Sequence, residues 1–285
     1  MNDLYLKQVQ NFLSGNKAEV GKDQFFCVDE NILDKLIDLS LLSVNDRVLE
    51  IGPGLGFLTA KLATKVKEVI AIEIDEKFKP RLNLLPDNVE VIYGNAYRLL
   101  NDKNFLRCYQ PPTKTVSNIP YSQAQNMLHN YTNYKWYRGD LIWLAPKSLA
   151  EKINKEPILG AYFHAEILLE VPKSAFYPQP NALSAIIRFH RLPDPSISGD
   201  FGIYLRRWFY NHEQIKVKNT LREGVINVAK DLKQKIITKN QAKELIKTLN
   251  IPQVELEKLT NNIRPEYYFD LPQKLQPWFD GLNSL

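Results

Sequence analysis

The four residues Asn118-Ile119-Pro120-Tyr121 suit chemistry on the exocyclic amine of adenine, a poor nucleophile whose lone pair is delocalised into the ring. The Asn118 side-chain carbonyl and the Ile119 main-chain carbonyl can accept from its two hydrogens and pull the nitrogen towards tetrahedral geometry. The fixed φ of Pro120 points the Ile119 carbonyl outward. Tyr121 can stack on a base that has left its helix. Taken alone, these residues also fit an ordinary turn, since Asn and Pro are common in turns.

A second segment with aromatic residues and prolines begins at Phe176, in the run Phe176-Tyr177-Pro178-Gln179-Pro180 with Ser184 beyond it. Phe176 is a candidate to stack on the other face of the base. The alternative is a rigid loop that precedes an edge strand.

A glycine-rich loop lies upstream, in Glu50-Ile51-Gly52-Pro53-Gly54-Leu55-Gly56. Its three glycines allow the backbone to turn sharply and to approach a ligand closely. A dinucleotide fingerprint would need its third glycine at position 57, where this chain has Phe57. A P-loop is excluded as well, because no Gly-Lys-Ser or Gly-Lys-Thr follows.

Two acids near this loop favour S-adenosylmethionine (SAM) as the ligand. Glu50 would repel a pyrophosphate, whereas SAM has a sulfonium, an ammonium and no phosphate. Glu73 ends the next predicted strand, 21 residues after Gly52, where it can accept hydrogen bonds from both hydroxyls of a ribose. The alternative is a tight turn with an incidental acid, and the strand-loop-helix-strand order of the segment argues against it.

Strand and helix patterns alternate along the first two thirds of the chain. The predicted strands are 47–51, 68–74, 89–93, 113–119, 141–145, 169–172 and 185–191, and the predicted helices include 55–66, 77–85, 122–130, 148–154 and 159–168. This alternation indicates an α/β fold with an open, mostly parallel sheet covered on both faces. Ligands of such sheets bind at the carboxyl ends of the strands, where both motifs lie.

The remainder of the chain predicts a small all-α domain. A turn-rich linker covers 193–199, and the segments after it have only helical patterns, at 203–210, 216–235, 240–249 and 254–259. The predicted domains are therefore 1–192, with an irregular N-terminal arm of one or two short helices over 1–28, and 200–285. Residues 206–247 contain eleven Lys and Arg against four Asp and Glu. This excess indicates either contact with a phosphate backbone or a solvated helix face.

Composition narrows the class of protein. The 285 residues have a net charge of +5, and the two cysteines and four histidines lack the spacing of a disulfide framework or a zinc site. The sequence start has no signal-peptide pattern, and no apolar run approaches the roughly 18 residues of a membrane span. We therefore expect a cytoplasmic protein with no metal site and no membrane association.

These motifs, in this order and spacing, resemble those of the ribosomal RNA adenine N6-dimethyltransferases, the KsgA–Erm group, and most of all its small-subunit enzymes. The resemblance covers about residues 20–280 and rests on Asp23-Gln24-Phe25-Phe26, Asp29-Glu30-Asn31, Glu50 to Gly56, Glu73-Ile74-Asp75, Asn118 to Tyr121, Phe176 to Pro180, Ser184, Lys216 and Asn219. It implies a Rossmann-like SAM-dependent methyltransferase core and a helical RNA-binding domain. It also implies transfer of two methyl groups to one adenine N6, with one SAM for each.

The chemistry of the motifs, the basic segment and the resemblance together assign roles to particular residues. The cofactor-binding set is Gln24, Phe26, Glu50, Gly52, Gly54, Gly56, Glu73, Ile74, Asn95, Ala96 and Asn118, and the catalytic set is Asn118, Ile119, Pro120, Tyr121 and Phe176. Lys216, Lys218 and Arg222 are the candidate RNA-binding residues.

The chain departs from the family pattern at several positions. Asp23 to Phe26 replaces Gly-Gln-Asn/His-Phe, and Asn95 replaces an Asp that contacts the cofactor adenine, although its carbonyl can still accept one bond. Nearer the RNA side, the departures are Ser122-Gln123-Ala124, Pro146-Lys147-Ser148 and Gly160-Ala161-Tyr162. The sequence therefore specifies the methyl-transfer chemistry more fully than it specifies which RNA is the substrate.

We expect a monomeric enzyme that modifies adjacent adenosines near the 3′ end of small-subunit ribosomal RNA, either as RNA or as a pre-ribosomal particle. The helical tail of about 85 residues favours this form. One alternative is a large-subunit enzyme that confers macrolide resistance. Another is an RNA-binding assembly or transcription factor with little activity, against which the intact Asn118 to Tyr121 argues. A DNA adenine methyltransferase is less favoured, because no target-recognition domain is visible.

Overall fold

The computed structural model describes residues 3–15, 24–132 and 139–282. The chain divides into two compact units, the core unit (Met1–Asn154 and His164–Arg191) and the helical unit (Lys155–Phe163 and Leu192–Leu285). Asp23 of the first family motif lies outside the described residues, as do residues 1–2 and 16–23 of the predicted arm and the last three residues of the predicted helical domain.

The core unit is built on a seven-stranded sheet. The strands within the described residues are β1 (Phe26–Cys27), β2 (Arg47–Ile51), β3 (Glu68–Glu73), β4 (Val89–Tyr93), β5 (Lys114–Asn118), β6 (Leu141–Pro146), β7 (Phe163–Val171), β8 (Phe176–Tyr177) and β9 (Ser184–Arg191). The large sheet has the order β4-β3-β2-β5-β6-β9-β7. Its first five strands run parallel, and β9 runs antiparallel to β6. The middle strands are buried almost throughout, which is typical of a parallel sheet covered on both faces.

Helices cover this sheet. They are α1 (Asp3–Gly15), α2 (Glu30–Leu39), α3 (Phe57–Ala63), α4 (Lys79–Leu82), α5 (Ala96–Leu99), α6 (Lys103–Cys108), α7 (Ala124–Thr132) and α8 (Lys147–Lys155). The predicted irregular arm contains α1, one helix of 13 residues. Val9 of α1 is buried in the core, and the ring of Tyr5 stacks on that of Phe57 with their centroids 4.2 Å apart. Packing of an apolar face on the core therefore stabilises this helix.

The prediction of a helix over 159–168 is wrong. Only the short α9 (Leu159–Tyr162) is helical, and strand β7 begins at Phe163. The strand starts with buried Phe163 and Ala165 alternating with exposed His164 and Glu166, the two-residue period of a half-buried strand. The spacing of apolar residues alone does not distinguish a helix from a strand here, because pairing within the sheet overrides a helical pattern.

The helical unit contains α9 and six further α-helices within the described residues. These are α10 (Pro195–Ser198), α11 (Phe201–Asn211), α12 (Val217–Lys233), α13 (Lys239–Thr248), α14 (Gln253–Leu256) and α15 (Tyr267–Gly281). The segment predicted as a linker, 193–199, thus includes α10. Residues 155–163 belong to this unit and not to the core, because α9 packs on α11. Arg207 donates to the carbonyl of Ala161 at 2.8 Å and lies over the ring of Tyr162.

Two features are absent from the described ranges. None of their helices is both long and apolar enough to cross a membrane. They also contain no group of three or more His, Cys, Asp or Glu side chains arranged to hold a metal ion.

Candidate active site

The glycine-rich loop leaves the carboxyl end of β2. Gly52, Gly54 and Gly56 have φ of 70°, 54° and 76°, in the left-handed region that favours glycine. A Cβ atom on Gly54 would also lie only 3.3 Å from the ring of Phe26. The loop therefore needs glycine both for its turn and for its close contact with the segment containing β1.

Glu73, the last residue of β3, fixes this loop. Its carboxylate accepts a hydrogen bond from Gly54 N at 3.0 Å and another from Asp75 N at 2.9 Å. Burial raises the pKa of Glu73 in spite of these bonds. A carboxylate has about four acceptor positions, so Glu73 can still accept from ribose hydroxyls.

Glu50 is a buried acid at the same edge of the sheet. Its side chain is 1% exposed, and its Oε2 has no hydrogen-bond partner in the described part of the chain. Burial, together with the neighbouring charge of Glu73, raises the pKa of Glu50 to about 8. A buried carboxyl group with one oxygen left without a partner fits a ligand that brings positive charge, as the sulfonium and ammonium of SAM do.

The tetrapeptide begins where β5 ends. The side-chain nitrogen of Asn118 donates to the carbonyl oxygen of Phe25 at 2.9 Å. Ile119 N donates to Leu144 O at 3.2 Å, which anchors the tetrapeptide to β6. Pro120 lies against the glycine loop, since a Cβ atom on Gly52 would be 3.6 Å from its ring. The two sequence motifs are thus in direct contact.

An aromatic cluster surrounds Tyr121. Its ring centroid lies 5.3 Å from that of Phe25 and 6.4 Å from that of Phe176, which it meets edge-on. Phe176 is brought there by β8, which pairs antiparallel with β1 and sets Phe176 opposite Cys27. Phe176 is only 1% exposed, so its side chain supports Tyr121, and stacking of a base on its face would require a rearrangement.

Two adjoining cavities, of about 130 and 910 Å³, form a cleft along this edge. Every predicted cofactor-binding residue lines one of them except Gly56. Gly56 instead packs against Leu82, since a Cβ atom on Gly56 would lie 3.3 Å from the Leu82 side chain. The residues that the sequence-based site omitted include Asp75, Tyr97, Gln123, Asn126 and His129. Asp75 accepts a hydrogen bond from the side-chain nitrogen of Gln24 at 3.5 Å. Its place in the site could have been predicted, because it belongs to the Glu73-Ile74-Asp75 motif.

The far end of the cleft contains Ile74, Asn95 and Ala96. Ile74 is 65% exposed, an apolar side chain suited to contact with a flat ring. Asn95 is the N-cap of α5, and its Oδ1 accepts from Arg98 N at 3.2 Å. The carbonyl predicted to accept from the cofactor adenine therefore already has one donor.

The three predicted RNA-binding residues lie in the first turns of α12 and are ion-paired. Lys216 and Lys218 donate to the carboxylate of Glu257 at 3.0 and 2.6 Å, and Arg222 pairs with Glu223 at 2.8 Å. The hydrogen bonds from Lys218 and Lys216 lower the pKa of Glu257. Glu257 is brought close because Val217 N bonds to Lys258 O, a contact that no local sequence signal indicates.

The parallel sheet, the glycine loop without a phosphate-binding signature, and the two acids at its edge define a Rossmann-like SAM-dependent methyltransferase. The sequence model of the family described as ribosomal RNA adenine dimethylase matches residues 15–271. The chain therefore belongs to the ribosomal RNA adenine dimethylase family, whose methyl donor is SAM. The resemblance, the fold class and the cofactor expected from the sequence are thereby confirmed.

Individual relatives agree with this family. The chain is 32% identical to the probable ribosomal RNA small subunit methyltransferase A of Methanosarcina barkeri, over 86% of this chain and 83% of that one. It is 30% identical to ribosomal RNA small subunit methyltransferase A of Alkaliphilus metalliredigens, over 73% and 79%.

Solved structures share the fold. A dimethyladenosine transferase from Plasmodium falciparum has a TM-score of 0.55 at 21% identity, covering 88% of this chain and 98% of that one. The 23S rRNA methyltransferase ErmE has a TM-score of 0.51 at 19% identity, with coverage of 88% and 99%.

Proposed function

We propose that this protein dimethylates N6 of adjacent adenosines near the 3′ end of small-subunit ribosomal RNA. The observation that most supports this function is the hydrogen bond from the Asn118 amide to Phe25 O, which orients the amide at the edge of the cofactor cleft. The relatives from Methanosarcina barkeri and Alkaliphilus metalliredigens, which align over most of their length, are named as small-subunit enzymes. Those names favour the small-subunit form over the large-subunit form.

Asn118 and Ile119 act on the target amine. The Asn118 Oδ1 and the Ile119 carbonyl oxygen accept from its two hydrogens, which localises the lone pair on nitrogen. When bound, SAM supplies an electrophilic methyl group. No general base is needed at the amine, because the nitrogen becomes acidic once it is alkylated and loses its proton afterwards. Tyr121 holds the flipped base by stacking.

The cofactor is held by complementary parts of the cleft. Glu50 faces the cationic end, Glu73 accepts from the ribose, and Ile74 with Asn95 contacts the adenine ring. The remaining residues of this proposed set are Gln24, Phe26, Gly52, Gly54, Gly56, Ala96 and Asn118. Gly56 acts indirectly, through the turn that starts α3.

The helical unit, in this proposal, binds the RNA backbone through Lys216, Lys218 and Arg222. These residues lie together at the start of α12, in the part of the chain with an excess of positive charge. A monomeric state and a cytoplasmic location stay predictions. Light scattering of the purified protein, alone and with RNA, tests the first.

The test is incubation with labelled SAM and separate pools of unmodified small-subunit particles, large-subunit particles and naked ribosomal RNA, followed by nucleoside mass analysis. We expect N6,N6-dimethyladenosine in small-subunit RNA. Label confined to the large-subunit pool would overturn the assignment to the small subunit. Binding of SAM without label in any pool would instead favour an RNA-binding factor that lacks activity.

A further inference from the structure

Ser184 lies at the active-site edge of the sheet although it belongs to the antiparallel strand. It is the first residue of β9 and pairs with Pro146, the last residue of β6. Because β9 runs opposite to β6, its beginning lies where the parallel strands end. The same edge holds Asn118, which pairs with Leu144 of β6.

The Ser184 side chain is buried and serves as a hydrogen-bond partner. It is 1% exposed, and the next residues, Ala185, Ile186 and Ile187, are fully buried and apolar. A hydroxyl in such surroundings requires a hydrogen-bond partner, and the partner is the hydroxyl of Tyr121. Ser184 lines neither cavity of the cleft, so it contacts Tyr121 from behind.

Three side chains therefore restrain Tyr121. The rings of Phe25 and Phe176 limit its position sideways, and Ser184 limits its tip. The torsion that turns a tyrosine ring has only broad preferences of its own. A hydroxyl fixed in an interior strand of the sheet therefore supplies the constraint that sets the angle of the ring.

We propose that Ser184 is a positioning residue that fixes the Tyr121 ring at the angle on which the target adenine stacks. It sets the rate of methyl transfer without touching the RNA or the cofactor. This inference rests on the proposed function, in which Tyr121 stacks on the base.

The test compares Ser184→Ala, Ser184→Thr, Tyr121→Phe and the double variant Ser184→Ala with Tyr121→Phe. We expect Ser184→Ala to lower kcat about tenfold, since small misplacements of a reacting group are costly, and to leave SAM affinity within about twofold. Tyr121→Phe should lose a similar factor, and the double variant no more than either single one. Ser184→Thr keeps the hydroxyl and should restore most of kcat. Ser40→Ala, which removes another buried hydroxyl that bonds to Leu36 O, is the matched control.

Two results would overturn the positioning role. One is a Ser184→Ala enzyme with kcat within twofold of the wild type, and the other is a double variant whose loss is the product of the single losses. RNA with 2-aminopurine at the target position gives a second readout, because stacking on Tyr121 quenches its fluorescence. A weaker quench in Ser184→Ala than in Ser40→Ala is expected, and an equal quench contradicts the role. Failure of the proposed function is separate, since the wild type would then methylate no ribosomal RNA.

Discussion

The side-chain nitrogen of Asn118 lies 2.9 Å from the carbonyl oxygen of Phe25 and donates a hydrogen bond to it. A backbone carbonyl can only accept, so this contact decides which way the amide faces. Its Oδ1 is thereby turned away from Phe25. A residue 93 positions earlier in the chain thus orients the proposed acceptor for the target amine.

Replacement of Asn118 by Ala should remove that acceptor. We expect turnover to fall about 100- to 1000-fold, the usual effect of deleting one preorganised polar group from an active site. Single-turnover transfer from labelled SAM to the RNA measures the loss. The midpoint of thermal unfolding is the control for folding. Turnover within a few-fold of the wild type would refute the role of Asn118.

Protonation of Glu50 should couple pH to SAM binding. Its pKa is raised from 4.5 to about 8 in the free protein, so the buried carboxyl is largely protonated at neutral pH. A cationic ligand favours the carboxylate, so binding should release a proton, and affinity should rise with pH up to about 8 and then level off. Calorimetry in two buffers of different ionisation enthalpy counts the proton.

The Glu50→Gln variant provides the comparison for this pH dependence. It keeps the shape of the side chain and cannot ionise, so most of the proton release should disappear. Glu73 faces the same cleft with a raised pKa and can leave a smaller residual dependence. Equal proton release by the variant and the wild type would show that Glu50 does not face the cationic end of the cofactor.

The parts of the site that the sequence predicted are those whose signals are local. The glycine loop and the tetrapeptide each follow a buried strand, and parallel strands bring their carboxyl ends to one edge. The pairing of β1 with β8 could not be predicted, because each strand has two residues and about 150 others separate them. The Phe25 carbonyl and the support of Tyr121 by Phe176 both depend on that pairing.

Two features of the helices also could not be predicted from local sequence patterns. Helix α15 contains Pro272 and Pro277, residues that ordinarily end a helix, and it was absent from the predicted helices. Pro272 is buried in the helical unit, so packing offsets the lost hydrogen bond. Likewise, the charge excess near α12 indicated cations, whereas their pairing with Glu257 depends on a contact between distant segments.

Restoration of the family acid at position 95 should strengthen SAM binding. Asp caps a helix as well as Asn does, so Asn95→Asp keeps the bond to Arg98 N and adds a carboxylate oxygen for the exocyclic amine of the cofactor adenine. We expect affinity to rise about threefold to tenfold, because charge-assisted hydrogen bonds are the stronger ones. Calorimetry measures it. Asn95→Ala, which removes cap and acceptor, should weaken binding, and no difference among the three proteins would exclude contact with the adenine.

Charge removal at the start of α12 should reduce the salt dependence of RNA binding. Each phosphate contact adds about 0.7 to 0.9 to the slope of log affinity against log salt, so replacing Lys216, Lys218 and Arg222 by Gln should lower it by about 2. Filter binding at several salt concentrations gives the slope. The matched control replaces Lys239, Lys243 and Lys247, on or at the start of α13, with the same change in charge. Equal slopes for the two triple variants would mean that the α12 residues form only a solvated face.

Glu257 should compete with RNA phosphates for the same two lysines. Its carboxylate takes hydrogen bonds from Lys216, Lys218 and Gln253, so three donors converge on one anion. An exposed ion pair is weak, so Glu257→Gln should tighten RNA binding only about two- to fivefold at low salt. Glu244→Gln, which frees Lys247 from a similar pair, is the control and should have a smaller effect. The gain should vanish when Lys216 and Lys218 are already Gln, because the freed cations are then absent. A gain that persists in that background would show that Glu257 acts by general repulsion of the RNA.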